Sequence, residues 1–412
     1  MNESDWQHQA QAFIADHWPG PERLAHPSAY QLASARWYEA LGVAGWSTPH
    51  WSAQSSGAAT SQLSWPKQRL YQWQMFCHQA RTPPINTLAM SLIAPLVMTH
   101  GSERQREVLL PEIAAFDAHW CLGLLEPVNA ATAQPTRLHV TQVGTYLQGE
   151  KRALGDGLLM STELPKDGLW PSRMLCIALD EAQQWRACLL PADRGGIKLR
   201  PVANARGRWF HVVLDEVSVA PDEILALSGD ALLAALAQPE TLSQSVLPEA
   251  SSFGLAEQLR LLRRELTATT HEDTDTLLTQ LYEAEVALQS LRALESRALA
   301  PATPPLATPL PMPMLSLKAQ ELGQQIGALQ LASFGYYALP DASALREHNE
   351  GPIHPRGDAS GETAMLTSQA LSALASSHYG WNPRDILARQ WLGLGENPQA
   401  AEEPSRQIER GR

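Results

Sequence analysis

The sequence predicts an α+β multidomain protein: a helical N-terminal part, a small β-domain and a C-terminal helical bundle. Three observations carry this. The apolar spacing is helical up to about residue 118, changes to a period of two from about 119 to 225, and returns to a helical period from about 228. Three long leucine-rich stripes follow Ala250. The period-two region is cut into short runs by turn residues, as strands are.

In the N-terminal part, Trp6, Phe13 and the alanine spacing between them predict a first amphipathic helix, ended by Pro19-Gly20. A second is expected over about 29–41. The stretch from Gly42 to Trp51 has too much Gly and Pro for a helix and reads as a loop. Helices are expected over about 63–80 and 86–99, the latter apolar all round and therefore buried. The next opens at Ser102 as N-cap, with Glu103 in its first turn, where the helix dipole favours an acid.

In the middle part, Leu138 and Val140, then Tyr146 and Leu147, read as a hairpin. Runs at 174–179, 187–190 and 197–202 read as short strands. Phe210, Val212 and Leu214 alternate with polar neighbours, as do Val217 and Val219. In the last part the stripes are Leu255, Leu259, Leu262 and Leu266; Leu277, Leu281, Ala284, Leu288 and Leu291; and Leu315, Ala319, Leu322, Ile326 and Leu329. A proline-rich linker, Pro301 to Pro313, separates the second from the third. A fourth helix is expected at about 363–377, which makes a four-helix bundle. The expected divisions are 1–118, 119–227 and 228–395, with a polar, disordered tail at 396–412.

Composition removes several function classes. With 44% hydrophobic and 18% charged residues the 412-residue chain is globular. A net charge of −12 repels phosphates, which speaks against nucleic acid and anionic membrane as partners. No apolar run reaches the length of a membrane span, and the N-terminus shows no secretory pattern, so a cytoplasmic location is expected. The four cysteines lack metal-ligand spacing and read as buried, reduced thiols. His348 and His354 lie irregularly among acids in a Pro/Gly-containing loop, which does not make a metal site, and no metal is expected.

The stretch from His119 to Pro127, HWCLGLLEP, resembles the helix-to-barrel crossing of acyl-CoA dehydrogenases, Trp-Cys-Gln-Gly-Phe-Ser-Glu-Pro in one bacterial branch. Trp120, Cys121, Gly123, Glu126 and Pro127 keep the frame; Leu122 and Leu125 replace Gln and Ser. The segments 101–113, 215–221 and 315–325 resemble further family segments in the same order. The resemblance spans roughly residues 5–395. It is strongest to the branch containing pimeloyl-CoA dehydrogenase subunits and the heteromeric enzymes of steroid degradation. It implies a central β-barrel and an FAD-dependent oxidoreductase that removes a proton α to a thioester carbonyl while a hydride leaves the β-carbon of an acyl-CoA.

The residues that would carry this chemistry are altered. The C-terminal position of the family's base is Ser377, whose hydroxyl is too weak a base without an activating neighbour. An earlier base position corresponds to Glu249, a carboxylate that a helix start beside Pro248 would favour in any case. The strand that covers the flavin in the family is Gly149-Glu150-Lys151-Arg152-Ala153-Leu154-Gly155, with Ala153 for a Trp and Leu154 or Gly155 for a hydroxyl residue. Leu122, Leu125, Ala153 and Leu154 would leave isoalloxazine groups unpaired, at about 1–3 kcal/mol each. By resemblance, Glu126, Lys151, Gly335 and Arg384 are the remaining cofactor-binding candidates.

Three readings follow. One is a catalytically degenerate subunit, a pseudoenzyme that completes the FAD site of an active homologue in a heteromer. The second is an active acyl-CoA dehydrogenase of fatty acid or steroid catabolism using Glu249, assembled with itself as a dimer or tetramer. The third is a non-redox acyl-thioester-binding or scaffold protein without flavin.

Overall fold

The computed structural model describes residues 3–20, 27–49, 51, 65–83, 85, 87–125, 135–141, 144–155, 171–201, 209–227, 231, 252–268, 274–299, 312–334, 384, 387–388 and 394. The described residues through Ala231 belong to one compact unit and those from Ser252 onward to a second.

The first unit begins with helices α1 (Glu3–His17), α2 (Pro27–Ala44) and α3 (Lys67–Gln79). Their apolar faces close on an aromatic cluster. Phe13 stacks on Trp46 at 4.6 Å, Trp46 meets Trp73 edge-to-face at 5.0 Å, and Trp6 meets Trp65 edge-to-face at 5.3 Å. The ring quadrupoles favour these geometries. Helix α2 runs on through Gly42, Val43 and Ala44, where the composition suggested a loop. The physical reason is close packing: a Cβ on Gly42 would lie 3.4 Å from the Cα of Ala115, so glycine here serves contact rather than a turn. Helix α3 starts later than expected, because Pro66 disfavours helical backbone at Trp65.

The buried helix expected over 86–99 is present in two pieces, a π-helical turn at Ala89–Ile93 and α4 (Ala94–His100). Pro95 supplies no amide, and the Ala94 N–H reaches back five residues to the Ala89 carbonyl. Helix α5 (Glu103–Ala114) opens with Ser102 as N-cap, as expected. Its Oγ accepts from Gln105 N–H at 3.2 Å, and Gln105 Oε1 accepts from Ser102 N–H at 2.8 Å. The same Gln105 amide donates to the Asp222 carbonyl at 2.9 Å. A bidentate Arg173–Glu112 pair at 2.7 and 2.8 Å ties α5 to the sheet a second time.

The sheet contains β1 (Trp120–Leu125), β2 (Arg137–Val140), β3 (Thr145–Gly155), β4 (Arg173–Leu179), β5 (Trp185–Pro191), β6 (Ile197–Pro201) and β7 (Trp209–Val219). Strands β1 and β2 both lie between β3 and β4, β1 against one end and β2 against the other. Strand β5 lies outside β4, and β7 then β6 lie outside β3. The sheet curls, and the Ile224 segment after β7 bridges to Cys188 of β5. Among the described residues no ladder joins β6 to β5. Both faces of β4 and β5 are buried, whereas β7 alternates. The core holds Leu147, Ala153, Met174, Phe210, Val212 and Val217, among others.

The alternation of β7 changes phase between Leu214 and Val217, and the pairing explains it. Leu147 pairs with Val217 and Gly149 with Leu214, so three steps on β7 face two on β3. This is a β-bulge at Asp215-Glu216, with Glu216 at φ 48°. Gly196, at φ 92°, seats it: its carbonyl accepts from Asp215 N–H at 3.0 Å, and a Cβ there would fall 2.3 Å from the Asp215 oxygen.

The second unit contains α6 (Ser252–Ala268), α7 (Thr274–Leu299) and α8 (Met312–Phe334). The three predicted stripes form one buried cluster. Glu295 of α7, 1% exposed, accepts from both Ser252 N–H and Ser252 Oγ, capping α6 from its neighbour. The expected fourth helix at 363–377 and the tail at 396–412 lie outside the described residues. Among the described residues no helix is long and apolar enough to cross a membrane.

Replacing Gly196 with Ala is expected to destabilise the chain by about 2 kcal/mol or more, from positive φ and the clash with the bulge. The neighbouring Gly195, where a Cβ meets nothing within 4 Å, should tolerate Ala within about 0.5 kcal/mol. Urea unfolding of the two variants measures the difference.

Candidate functional site

The segment around Trp120 and the strand carrying Lys151 meet where β1 pairs with β3. Cys121 opposes Gly155 and Leu122 opposes Leu154; the register then slips by one, and Leu125 opposes Arg152. Directly opposed residues share a face, and successive residues along a strand do not. Ala153 therefore lies on the side of the sheet opposite Leu122.

The side chains confirm this. Ala153 is fully buried in the sheet core with Met174, Phe210 and Val212. Lys151 is also 0% exposed and lies on the same side. A Cβ built on Gly123 would lie 3.6 Å from both Lys151 Cγ and Met174 Sδ. The ammonium sits 5.8 Å from the centre of the Trp185 ring, a cation–π arrangement inside the curl. Leu122 is 2% exposed and outside that core cluster. The two-residue period of β3 turns Ala153 inward with Lys151, while Leu122 lies on the other surface.

The thiols here are buried. Burial pushes the Cys121 and Cys188 thiols well above the ordinary range, and Cys176 stands directly opposite Cys188 in the β4–β5 pair. Neutral buried thiols are poor nucleophiles. His119, at the entry to β1, has its imidazole held below the usual value, mainly by burial and against the pull of Asp117. Among the described residues its buried Nδ1 has no hydrogen-bond partner.

Of the other sequence candidates, Arg384 donates to Glu321 Oε1 of α8 at 2.9 Å, and Lys318 donates to the other carboxylate oxygen. The two cations hold the Glu321 carboxyl below its ordinary value. Glu126, Gly335, Glu249 and Ser377 lie outside the described residues, and so do the side chains of Leu125 and Leu154. One residue escaped the sequence reading. Gln330 of α8 is 1% exposed, and among the described residues neither its amide nitrogen nor its side-chain oxygen has a partner. Its signal was a polar residue one position after a core leucine, on a helix face shared with Ile326 and Ser333.

Among the described side chains the fit to an isoalloxazine is poor. Leu122 and Ala153 offer no donor or acceptor and do not share a surface, and the Lys151 amine is enclosed in the core. A flavin buried against these residues would lose about 1–3 kcal/mol for each polar group left unpaired.

Whole-fold comparison places the chain beside known enzymes. It matches a chain of the ChsE4–ChsE5 complex from Mycobacterium tuberculosis with a TM-score of 0.67 and 17% identity, covering 95% of this chain and 97% of that one. It matches the Tcur3481–Tcur3483 steroid acyl-CoA dehydrogenase with a TM-score of 0.65 and 16% identity, covering 95% and 97%. Glutaryl-CoA dehydrogenase from Mycobacterium smegmatis gives a TM-score of 0.61 and 14% identity over 96% of each chain. No family model matches, and no curated protein matches by sequence. The chain has the acyl-CoA dehydrogenase-like fold.

Ala153→Trp, which restores the family's aromatic residue, is expected to destabilise the fold by about 1–3 kcal/mol through overpacking and to confer no flavin binding. Unfolding midpoints and flavin absorbance check both parts. His119→Gln is expected to flatten part of the acid limb of stability. The folded pKa of His119 lies below its unfolded value near 6.5, so the unfolded state takes up the proton first. Stability is therefore lost as pH falls from about 6.5 toward the folded value. Melting temperatures of wild type and variant between about pH 7.5 and 5 should diverge in that window.

Proposed function

We propose that this chain is an acyl-CoA dehydrogenase-fold subunit that holds no flavin on its own sheet and completes the FAD site of an active homologue in a heteromer. The observation that carries the reading is the enclosure of Lys151 and Ala153 in the sheet core, with Leu122 on the other surface. A strand packed in this way has no polar group to give a flavin from these positions.

Two further observations support it. At the C-terminal base position the sequence has Ser377, and no Glu or Asp falls within several residues on its N-terminal side. A proton α to a thioester carbonyl needs a positioned carboxylate or its equivalent, so the α,β-desaturation of an acyl-CoA is assigned to the partner. Two of the similar structures carry the names of two-component assemblies, ChsE4–ChsE5 and Tcur3481–Tcur3483. The boundaries 1–118, 119–227 and 228–395 are proposed as the divisions of the chain.

The test is the visible spectrum of the purified chain, alone and co-purified with an acyl-CoA dehydrogenase homologue from the same source. The reading predicts no flavin absorbance from the chain alone, and a complex whose flavin is bleached by an acyl-CoA. Flavin on the lone chain, bleached by an acyl-CoA and no longer bleached in Glu249→Gln, would overturn it in favour of an active enzyme. A complex that assembles without flavin would overturn it in favour of a scaffold.

A further inference from the structure

The 21 residues from Arg194 to Leu214 contain five Lys or Arg and no Asp or Glu, in a chain of net charge −12. The fold gathers part of this charge on one surface. Arg200 of β6 pairs with His211 of β7, and His211 pairs with Arg152 of β3. Directly opposed residues share a face, so three basic side chains form a row across three strands, on the side away from Phe210 and Val212. At the usual strand spacing the row is about 10 Å long. Lys198, two residues before Arg200, stands on the same side of β6.

Lys198 and Arg200 are exposed, and among the described residues neither makes an ion pair. The Arg152 guanidinium lies 5.4 Å from the centre of the half-buried Trp209 ring. The one acid in this row of pairs, Glu150, is taken by His211 at 3.1 Å. The surface therefore combines a positive row with an aromatic anchor, in a molecule negative elsewhere. Strand β6 pairs only with β7 among the described residues.

We propose that this basic face docks an acidic, extended segment of a partner protein along β6. Lys198 and Arg200 repeat at the two-residue spacing at which an extended chain presents side chains on one side. A short acidic segment feels the local field, because charges beyond about 8–10 Å are screened at physiological salt. A long polyanion such as nucleic acid also meets the chain's overall negative charge. The inference does not depend on whether the chain holds flavin. The competing role for these residues is that of charged guards that keep β6 from pairing with a second copy.

The experiment is fluorescence anisotropy of a labelled oligoglutamate peptide titrated with the full chain, at low salt and at about 0.15 M. Saturable binding is expected, weakening with salt. Lys198→Glu with Arg200→Glu should weaken it by about tenfold or more. The same charge change on α7, Arg292→Glu with Arg297→Glu, should leave it within about twofold. Lys198→Gln with Arg200→Gln serves as the milder pair if reversal perturbs folding, checked by size-exclusion chromatography. The proposal is overturned if the wild type does not bind, or if both double variants lose binding equally. It is also overturned if the β6 variants bind the peptide unchanged and only associate with themselves.

Discussion

Lys151 is the constraint around which the sheet is arranged. A lysine with no exposed surface is costly to bury, and nothing about its strand lets it escape. Its neighbours along β3 on the same side, Leu147 and Ala153, belong to the apolar core. The curl brings Trp185 of β5 over its ammonium, and a Cβ on Gly123 would lie 3.6 Å from its Cγ. Moving β3 by one residue would bring Arg152 and Glu150 into that core instead, so the register is held strongly. With Lys151 and Ala153 inward, this strand turns Arg152 and Glu150 outward and does not offer Ala153 to a ligand. The inert sheet core and the basic outer face are two results of the same alternation.

The helices are set on the sheet by polar groups with double duties. Gln105 completes the capping box of α5 and also holds the Asp222 carbonyl. Glu112 takes both ends of the Arg173 guanidinium at the start of β4. In the second unit Glu295 plays a comparable part, closing the N-terminus of α6 from α7. Gln105 and Glu295 satisfy helix-end N–H groups that would otherwise lack partners.

Much of this was legible in the sequence, for physical reasons. The three stripes of the bundle were read residue by residue, because a helical period over four or five positions leaves little ambiguity. Ser102 was legible as a cap because few residue types serve there. The phase change between Leu214 and Val217 was already present in the pattern, although only the pairing with β3 identifies it as a bulge. What the sequence concealed were contacts between distant segments. Gly42 suggested a turn but allows close passage beside Ala115. The helix expected over 86–99 does run through Pro95, but the π turn before it was not legible. At the site, the sequence alone did not show that strand pairing puts Leu122 and Ala153 on opposite faces. Gln330 looked like any helix glutamine until its burial showed an amide without partners among the described residues.

The central claim is that Lys151 is enclosed in the sheet core, and its amine reactivity tests that most directly. The chain has five lysines, and Lys67 and Lys198 are exposed while Lys318 is largely so. Brief acetylation of the native protein, followed by peptide mass spectrometry, should modify these three and leave Lys151 unmodified until the chain is unfolded. Acetylation of Lys151 in the folded protein at a rate comparable to Lys198 would contradict the account, because it would place the amine at a surface open to solvent and to a ligand.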